Sequence, residues 1–318
     1  MAERVFIWGA GSIGMQHAEI LGGLGASPIL IPVRPERCEE LKNGGYSVAR
    51  ALDEEVAGAA DCCIIATETN RHVDDATSAM KLGLRVLVEK PLGVDLDDIR
   101  RLKDGADDEA LRNLRVACPL RWYEAVSLVK EKLTELGRIH AVNICCQSYL
   151  PDWRPKRDYR NSYSASPEQG GVVRDLVHEI DYCNYLFGLP DAEEIQFVGM
   201  KGDSIGVEST SNAVLSWKMG GQALVNIQLD YLTRTPRRSI CVFGEHGEIN
   251  ADLISGRVKC ELVGRESWVQ DVESDRSLGM ERMLKSFLRN DAEGCGFQQA
   301  LEAAKIVDAC EDQMRSRE

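Results

Sequence analysis

The fold is decided by VFIWGAGSIG, residues 5–14, where a short apolar segment leads directly into a glycine-rich loop. Behind the loop, Ile13, Ile20, Leu21 and Leu24 recur at the spacing of one helical face. A strand, a glycine loop and a helix in this order predict the first βα unit of a parallel sheet.

The same alternation of apolar runs and amphipathic segments continues to about residue 120. Strands are predicted at 5–8, 29–33, 62–66, 86–89 and 115–118, and helices near 35–43, 70–82 and 95–103, with Asp95 as an N-cap. We therefore predict that residues 1–120 form an α/β Rossmann domain with a doubly wound parallel sheet.

From about residue 139 the pattern becomes that of strands with one face buried and the other exposed to solvent. Val142, Ile144 and Cys146 alternate with polar or smaller neighbours, as in a half-buried strand. Runs at 212–218 and 222–229 flank a glycine turn, as do runs at 239–243 and 248–253, which predicts antiparallel hairpins. We predict that residues 121–318 form an α/β domain on a large, mainly antiparallel open sheet, closed by helices at 280–288 and 297–314.

Composition excludes several classes of protein. A net charge of −13 disfavours nucleic acid and anionic membranes as partners. The amino terminus lacks the features of a signal peptide and no run reaches membrane-spanning length, so we expect a cytoplasmic protein. The eleven cysteines form no C-x-x-C pair and are interpreted as reduced core thiols; with only five histidines, we expect no metal site.

The glycines of the loop, Gly9, Gly11 and Gly14, form the motif G-x-G-x-x-G. In this context they permit a tight turn, the approach of a pyrophosphate and close helix packing, while the helix N-terminus at Ser12 and Ile13 faces the negative charge. The motif predicts a bound dinucleotide; a turn without a ligand is the alternative.

The end of the second strand indicates which dinucleotide is bound. NAD sites usually place an acidic residue there, but none occurs between Glu19 and Glu36. The segment ends in IPVRPER, so Arg34 or Arg37 could accept a 2′-phosphate, and we predict a preference for NADP over NAD. The alternative is that both arginines are solvated residues at a helix start.

Two further segments follow strands and should meet the cofactor: ATETNRH (66–72) and VEKPLG (88–93). Lys90 stands between an acid and a proline on a short, stiff turn, from which its ammonium could reach over the nicotinamide. We regard Lys90 as a catalytic candidate, with a solvated surface lysine as the alternative.

The segment GGVVRDLVHEI, residues 170–180, sets Asp175 and His178 three apart on a predicted helix. Carboxylate and imidazole would then share one helical face. His178 could take a proton from a substrate hydroxyl near neutral pH while Asp175 fixes its tautomer. Asp181 projects to a different side and is expected to make a structural hydrogen bond.

Together, G-x-G-x-x-G, the T-x-x-x-x-H of residues 67–72, the Glu-Lys-Pro of 89–91 and the GG-x-x-x-D-x-x-H-x-x-D of 170–181 resemble the Gfo/Idh/MocA family. The resemblance covers nearly the whole chain. It implies NAD(P)-dependent oxidation or reduction of a hydroxyl-bearing carbon on a sugar or cyclitol, and a homodimer or homotetramer.

The resemblance also implies roles for individual residues. Lys90 would bond the reacting oxygen, Asp175 would be its carboxylate partner, and His178 would be the acid/base, with Lys90 and His178 converging on one nicotinamide ring. The expected cofactor contacts are Gly9, Gly11, Ser12, Ile13, Gly14, Arg34, Arg37, Thr67, Asn70, His72, Glu89 and Lys90.

The segment 148–169 is a basic, aromatic loop in an acidic protein. Aromatic rings cover sugar faces and arginines pair with carboxylate or phosphate, so we infer a sugar-like substrate, possibly a sugar acid or nucleotide sugar. The expected substrate contacts are Arg121, Tyr149, Trp153, Arg154, Arg157 and Tyr163. The loop could instead contact a neighbouring subunit, and Arg121 could be structural at the domain junction.

Two other functions stay open at this point. The chain could be a regulatory protein that senses NAD(P) and a sugar without catalysis, or a glycosidase that uses tightly bound NAD. The complete set of Lys90, Asp175 and His178 argues against the sensor, because a sensor does not need a placed acid/base.

Overall fold

The computed structural model describes residues 3–155, 158–166 and 170–316. They divide into two compact units. The first contains the residues up to Pro119 together with Met280–Leu301, and the second contains Leu120–Gly279 together with the residues from Glu302 onward. The sequence-based division at residue 120 had placed residues 280–301 with the second half.

The first unit is built on a seven-stranded sheet in the order β15-β6-β5-β4-β1-β2-β3. Its strands are β1 (Arg4–Trp8), β2 (Ser27–Ile31), β3 (Ser47–Val48), β4 (Cys62–Ile65), β5 (Arg85–Val88), β6 (Leu114–Val116) and β15 (Cys295–Gly296). Six strands run parallel and the short β15 is antiparallel to β6. The order of the parallel strands, 3-2-1-4-5-6, is that of a doubly wound fold, which confirms the predicted fold class.

Helices alternate with these strands: α1 (Ser12–Gly23), α2 (Arg37–Asn43), α3 (Glu54–Ala57), α4 (His72–Lys81), α5 (Leu96–Asp104) and α6 (Asp108–Arg112). The Asp95 carboxylate accepts a hydrogen bond from the Asp98 amide at 2.9 Å, which confirms the predicted N-cap of α5. The sequence pattern missed β3, α3 and α6, because elements this short show no full hydrophobic period.

The central strands of this sheet are apolar on both faces. Residues 5–7 of β1 and 62–65 of β4 are inaccessible to solvent, as expected where helices cover both sides. All eleven cysteines of the chain are free thiols and nine are buried. Burial raises the pKa of Cys62 to about 12, so this thiol is protonated and unreactive at neutral pH.

The second unit is built on an eight-stranded sheet in the order β14-β13-β12-β11-β7-β10-β9-β8. Its strands are β7 (Ile139–Gln147), β8 (Gln196–Gly202), β9 (Val207–Met219), β10 (Ala223–Asp230), β11 (Arg237–Gly244), β12 (Gly247–Asp252), β13 (Arg257–Leu262) and β14 (Trp268–Asp271). Both predicted hairpins, β9–β10 and β11–β12, are confirmed. The neighbours β7 and β10 are parallel, and every other pairing is antiparallel.

The remaining helices are α7 (Glu124–Lys132), α8 (Val172–Asp175), α9 (Val177–Phe187), α10 (Arg276–Leu288) and α11 (Phe297–Arg315). α8 and α9 pack on one face of the second sheet, against β7, β9 and β10. Val142, Ile144 and Cys146 of β7 are buried, which confirms the predicted wet and dry faces of this strand. In the part of the chain that the structure describes, no helix has the length and apolar composition needed to cross a membrane.

The prediction that one helix carries both Asp175 and His178 is wrong. The chain forms two helices, α8 and α9, which are separated at Leu176, where φ is −95° and ψ is 31°. The periodicity failed here because it assumes an unbroken helix.

Candidate functional site

The three glycines of the first loop lie in different surroundings. Gly9 has φ of +106°, and a Cβ there would lie 2.3 Å from the Ala66 carbonyl oxygen. A Cβ at Gly14 would lie 1.9 Å from the Gly9 carbonyl oxygen, whereas one at Gly11 would meet open space. The loop is thus tightly packed at Gly9 and Gly14 and open at Gly11, beside the N-terminus of α1. This arrangement fits a dinucleotide pyrophosphate.

The loop after β4 lies against the same glycines, since the backbone amide of Thr67 would be 2.7 Å from a Cβ at Gly9. The Thr67 hydroxyl is buried and has no hydrogen-bond partner within residues 3–155, 158–166 and 170–316. A buried hydroxyl without a partner is costly, so a ligand that bonds to it would be stabilised. Asn70, in the same segment, is exposed.

His72 lies between the loops that follow β4 and β5. Its Nδ1 is 2.8 Å from the Pro91 carbonyl oxygen and its Nε2 is 3.1 Å from the Thr67 carbonyl oxygen. The side chain is 2% exposed. Both ring nitrogens of His72 face backbone carbonyls, which favours a role in bracing the two loops over the predicted contact with the cofactor.

Glu89 precedes Lys90 on the turn after β5, where the Lys90–Pro91 peptide bond is cis. Glu89 Oε1 lies 2.7 Å from Nε2 of His17, a fully buried residue of α1. Sequence analysis missed His17, although Gly14, His17, Ala18 and Leu21 form the buried stripe of this helix at helical spacing. The His17–Glu89 contact links the helix behind the glycine loop to the turn that carries Lys90.

Only one of the two candidate arginines reaches the glycine loop. Arg37 donates a hydrogen bond to the Ala10 carbonyl oxygen and a longer one, of 3.4 Å, to Glu40. Arg34 is exposed. The geometry therefore favours Arg37 as the cation nearest to a bound dinucleotide.

In the second unit, Asp175 is the centre of a buried polar cluster. The Tyr231 hydroxyl donates to Asp175 Oδ2 at 2.6 Å, and both side chains are buried. Burial, followed by the Asp175 carboxylate, raises the pKa of Tyr163 to about 12 and the pKa of Tyr231 well above its usual value. Both phenols are thus protonated at neutral pH, and the Tyr231 hydroxyl donates to Asp175.

His178 lies in the first turn of α9 and Asp175 is the last residue of α8. Asp175 and His178 therefore do not share a face of one helix, as predicted, but lie on either side of the break at Leu176. His178 is partly accessible to solvent, whereas Asp175 is only 5% exposed. The Nδ1 atom of His178 is itself buried, so the partial exposure of this residue comes from its other atoms.

The aromatic side chain of Trp153 contacts this cluster. The Trp153 ring meets Tyr231 edge to face, with centroids 5.4 Å apart and an interplanar angle of 89°. Trp153 also donates from Nε1 to the Ser148 hydroxyl at 2.9 Å, yet stays 38% exposed. Its accessible ring could cover the apolar face of a sugar.

A cation–π pair lies just beyond the ends of β7 and β10, where the Arg234 guanidinium carbon lies 3.6 Å from the centroid of the Tyr149 ring. Tyr149 follows β7 and Arg234 follows β10, which are parallel neighbours. Sequence analysis missed Tyr231 and Arg234. No local signal shows that two strands so far apart in sequence pair in parallel.

The other predicted substrate residues lie in different settings. Tyr163 is 48% exposed, and the Arg154 cation lies close enough to oppose the rise in its pKa. Arg157 lies outside the described residues.

Arg121 does not present its charge to solvent. It is 2% exposed and donates from Nε and Nη2 to Asp181, at 2.8 and 2.6 Å. The structural hydrogen bond expected of Asp181 is confirmed. For Arg121, the buried ion pair favours the structural alternative over the substrate contact.

Two family models match this chain. Residues 4–117 match the oxidoreductase family with an NAD-binding Rossmann fold, and residues 127–250 match the GFO/IDH/MocA C-terminal domain. Myo-inositol 2-dehydrogenase of Thermotoga maritima is 26% identical over 270 residues, which are 79% of this chain and 75% of that enzyme.

Two solved structures share the fold. Levoglucosan dehydrogenase in complex with NADH and levoglucosan has a TM-score of 0.85 at 16% identity, covering 100% of this chain and 98% of that one. The WlbA dehydrogenase from Bordetella pertussis, in complex with NADH and UDP-GlcNAcA, has a TM-score of 0.79 at 19% identity, covering 100% and 96%.

Proposed function

This chain belongs to the Gfo/Idh/MocA family of NAD(P)-dependent oxidoreductases, and we propose that it transfers hydride between the nicotinamide and a hydroxyl-bearing carbon of a sugar, sugar acid or nucleotide sugar. The observation that carries the proposal is the buried Asp175 carboxylate, which lies three residues before His178 and accepts a hydrogen bond from the Tyr231 hydroxyl. Relatives named as myo-inositol 2-dehydrogenase and levoglucosan dehydrogenase support this class of substrate.

The proposed mechanism gives each residue one task. The open side of the glycine loop at Gly11 and the Thr67 hydroxyl would hold the dinucleotide, which when bound supplies the acceptor for the hydride. His178 takes the proton of the reacting hydroxyl, and Lys90 stabilises the negative charge that develops on its oxygen. Asp175 orients His178, so that the hydroxyl carbon becomes a carbonyl as one hydride and one proton leave.

A substrate panel tests the function directly. The purified chain is incubated with NADP or NAD and with neutral polyols, aldoses, sugar acids, sugar phosphates and nucleotide sugars, and absorbance of the reduced cofactor is followed. We expect steady-state reduction of added cofactor with at least one sugar. Binding without any turnover would support a sensor instead, and cleavage of a glycoside without net reduction would support a glycosidase with bound NAD.

We propose that Arg37 gives the site a preference for NADP. Arg37→Gln is expected to weaken NADPH binding about ten- to a hundredfold, since a hydrogen bond to a charged group contributes about 1.5–3 kcal/mol, while NADH binding changes little. Fluorescence titration of both reduced cofactors measures the ratio, with Arg34→Gln as the control. Equal losses for NADPH and NADH would contradict a role in binding the 2′-phosphate, as would tighter NADH binding by the unaltered protein.

We also propose that the chain forms a homodimer or homotetramer through the face of the second sheet opposite α8 and α9. Val198 and Met200 on β8 and Leu224 on β10 are 61%, 64% and 55% exposed, which is unusual for apolar side chains on strands. Light scattering should give twice or four times the 35.3 kDa of one chain. Val198→Lys combined with Leu224→Lys should lower the mass to that of a monomer; an unchanged oligomer would place the interface elsewhere.

A further inference from the structure

We infer that Arg234 binds an anionic group of the substrate, a carboxylate or a phosphate carried by the sugar; the inference rests on the proposed function. Arg234 belongs to neither the glycine motif nor the basic loop of residues 148–169. It lies in the short segment between β10 and β11, and it is exposed.

Stacking prepares this guanidinium for an anion. With its carbon 3.6 Å from the centroid of the Tyr149 ring, the planar group is held by a cation–π contact, which limits its rotation. A stacked guanidinium keeps the N–H donors on its edge available, and these match a carboxylate or phosphate in a bidentate pair. No carboxylate of the described residues forms a salt bridge with Arg234, so the charge is not already neutralised there.

The backbone brings Arg234 close to the Asp175 cluster. The amides of Ser148 and Leu150 donate to the carbonyls of Asp230 and Tyr231 at 3.2 and 3.0 Å, so the segments after β7 and β10 run side by side. Arg234 is the third residue after Tyr231, and their Cα atoms are thus no more than about 10 Å apart. Since the Tyr231 hydroxyl contacts Asp175, a substituted sugar lying on this edge could reach both.

The turn that presents Arg234 is well fixed. The Asp230 carboxylate accepts from the amides of Leu232 and Thr233 at 2.9 and 2.8 Å and from the Thr233 hydroxyl at 2.9 Å. Gln147 donates to the same carboxylate at 2.8 Å. A preorganised turn loses little entropy when a ligand binds, which favours binding at this place. The cation of Arg234 also opposes, locally, the repulsion of an anion by a protein of net charge −13.

The test compares substrates that differ only in charge. A sugar acid, a sugar phosphate and the corresponding neutral sugar are assayed with the wild-type protein, Arg234→Met and Arg234→Lys. For Arg234→Met we expect KM for the favoured anionic sugar to rise about ten- to a hundredfold at unchanged kcat, from the loss of a charged hydrogen-bond pair. KM for the neutral sugar should stay the same. For Arg234→Lys, KM for the anionic sugar should lie between the wild-type and Arg234→Met values, because lysine keeps the charge but cannot form the bidentate pair.

Arg237→Met is the matched control, since Arg237 is an exposed arginine of the adjoining strand β11. Comparison of the acid with the phosphate identifies which anion is bound. An unchanged ratio of KM for anionic and neutral sugars in Arg234→Met overturns the inference and leaves the proposed function intact. Failure of the wild-type protein to oxidise or reduce any sugar overturns the proposed function, and the inference with it.

Discussion

Replacing His178 by alanine is expected to lower kcat about 10²- to 10⁴-fold, the usual contribution of a positioned general acid/base. Binding of NADPH should change little, because the substitution leaves the glycine loop of Gly9, Gly11 and Gly14 unaltered. Steady-state kinetics with the sugar found by the panel, together with a cofactor titration, measure both quantities. His140→Ala, which changes an exposed histidine of β7, should retain full activity.

Tyr231→Phe separates the orientation of Asp175 from the chemistry of His178. The phenylalanine ring can keep the edge-to-face contact with Trp153, but it removes the 2.6 Å hydrogen bond to Asp175. We expect kcat to fall about three- to tenfold, in line with one net hydrogen bond, with KM unchanged. A rise in KM without a change in kcat would instead make Tyr231 a residue that only binds substrate.

A double variant tests whether Lys90 and His178 act on the same reacting oxygen. Lys90→Met alone is expected to lower kcat about 10²- to 10³-fold, as when one electrostatic stabiliser of a developing oxyanion is removed. If both residues serve one transition state, the double variant loses much less than the product of the two single effects. Fully multiplicative losses would contradict a shared reacting centre.

The features predicted correctly from sequence are those that depend on neighbours along the chain. The glycine loop of Gly9, Gly11 and Gly14 could be predicted because the turn, the start of α1 and the close packing all lie within six residues. The dry face of β7 and the two hairpins follow from a period of two and from glycine turns. Such signals do not require knowledge of distant partners.

The features that were missed depend on pairing between distant segments. Tyr231 reaches Asp175 because β10 lies beside β7 and contacts α8. Glu89 contacts His17 although the two residues are 72 positions apart in the sequence. Hydrophobic periodicity reports whether a residue is buried but does not identify its partner. It also missed the break at Leu176, since Val172, Leu176 and Ile180 keep helical spacing across it.

Asp181→Ala is expected to lower the free energy of unfolding of the second unit by about 3–5 kcal/mol, because it leaves the Arg121 charge buried without its carboxylate. Both side chains of the pair are almost inaccessible, at 2% and 3% exposed, and two hydrogen bonds join them. Urea denaturation followed by circular dichroism measures the shift. Asp158→Ala, which breaks the exposed Asp158–Arg160 pair, should leave the midpoint unchanged.

The double variant Arg121→Met with Asp181→Leu is expected to be more stable than Asp181→Ala alone. Removal of both charges eliminates their desolvation penalty, and replacement of a buried pair by apolar side chains is often neutral or stabilising. Measuring both stability and KM for Asp181→Ala decides between a structural and a substrate-binding role of Arg121. If Asp181→Ala left stability unchanged and instead raised KM for an anionic sugar, Arg121 would be a substrate residue; loss of stability with unchanged KM at low temperature makes it the buried anchor of α9.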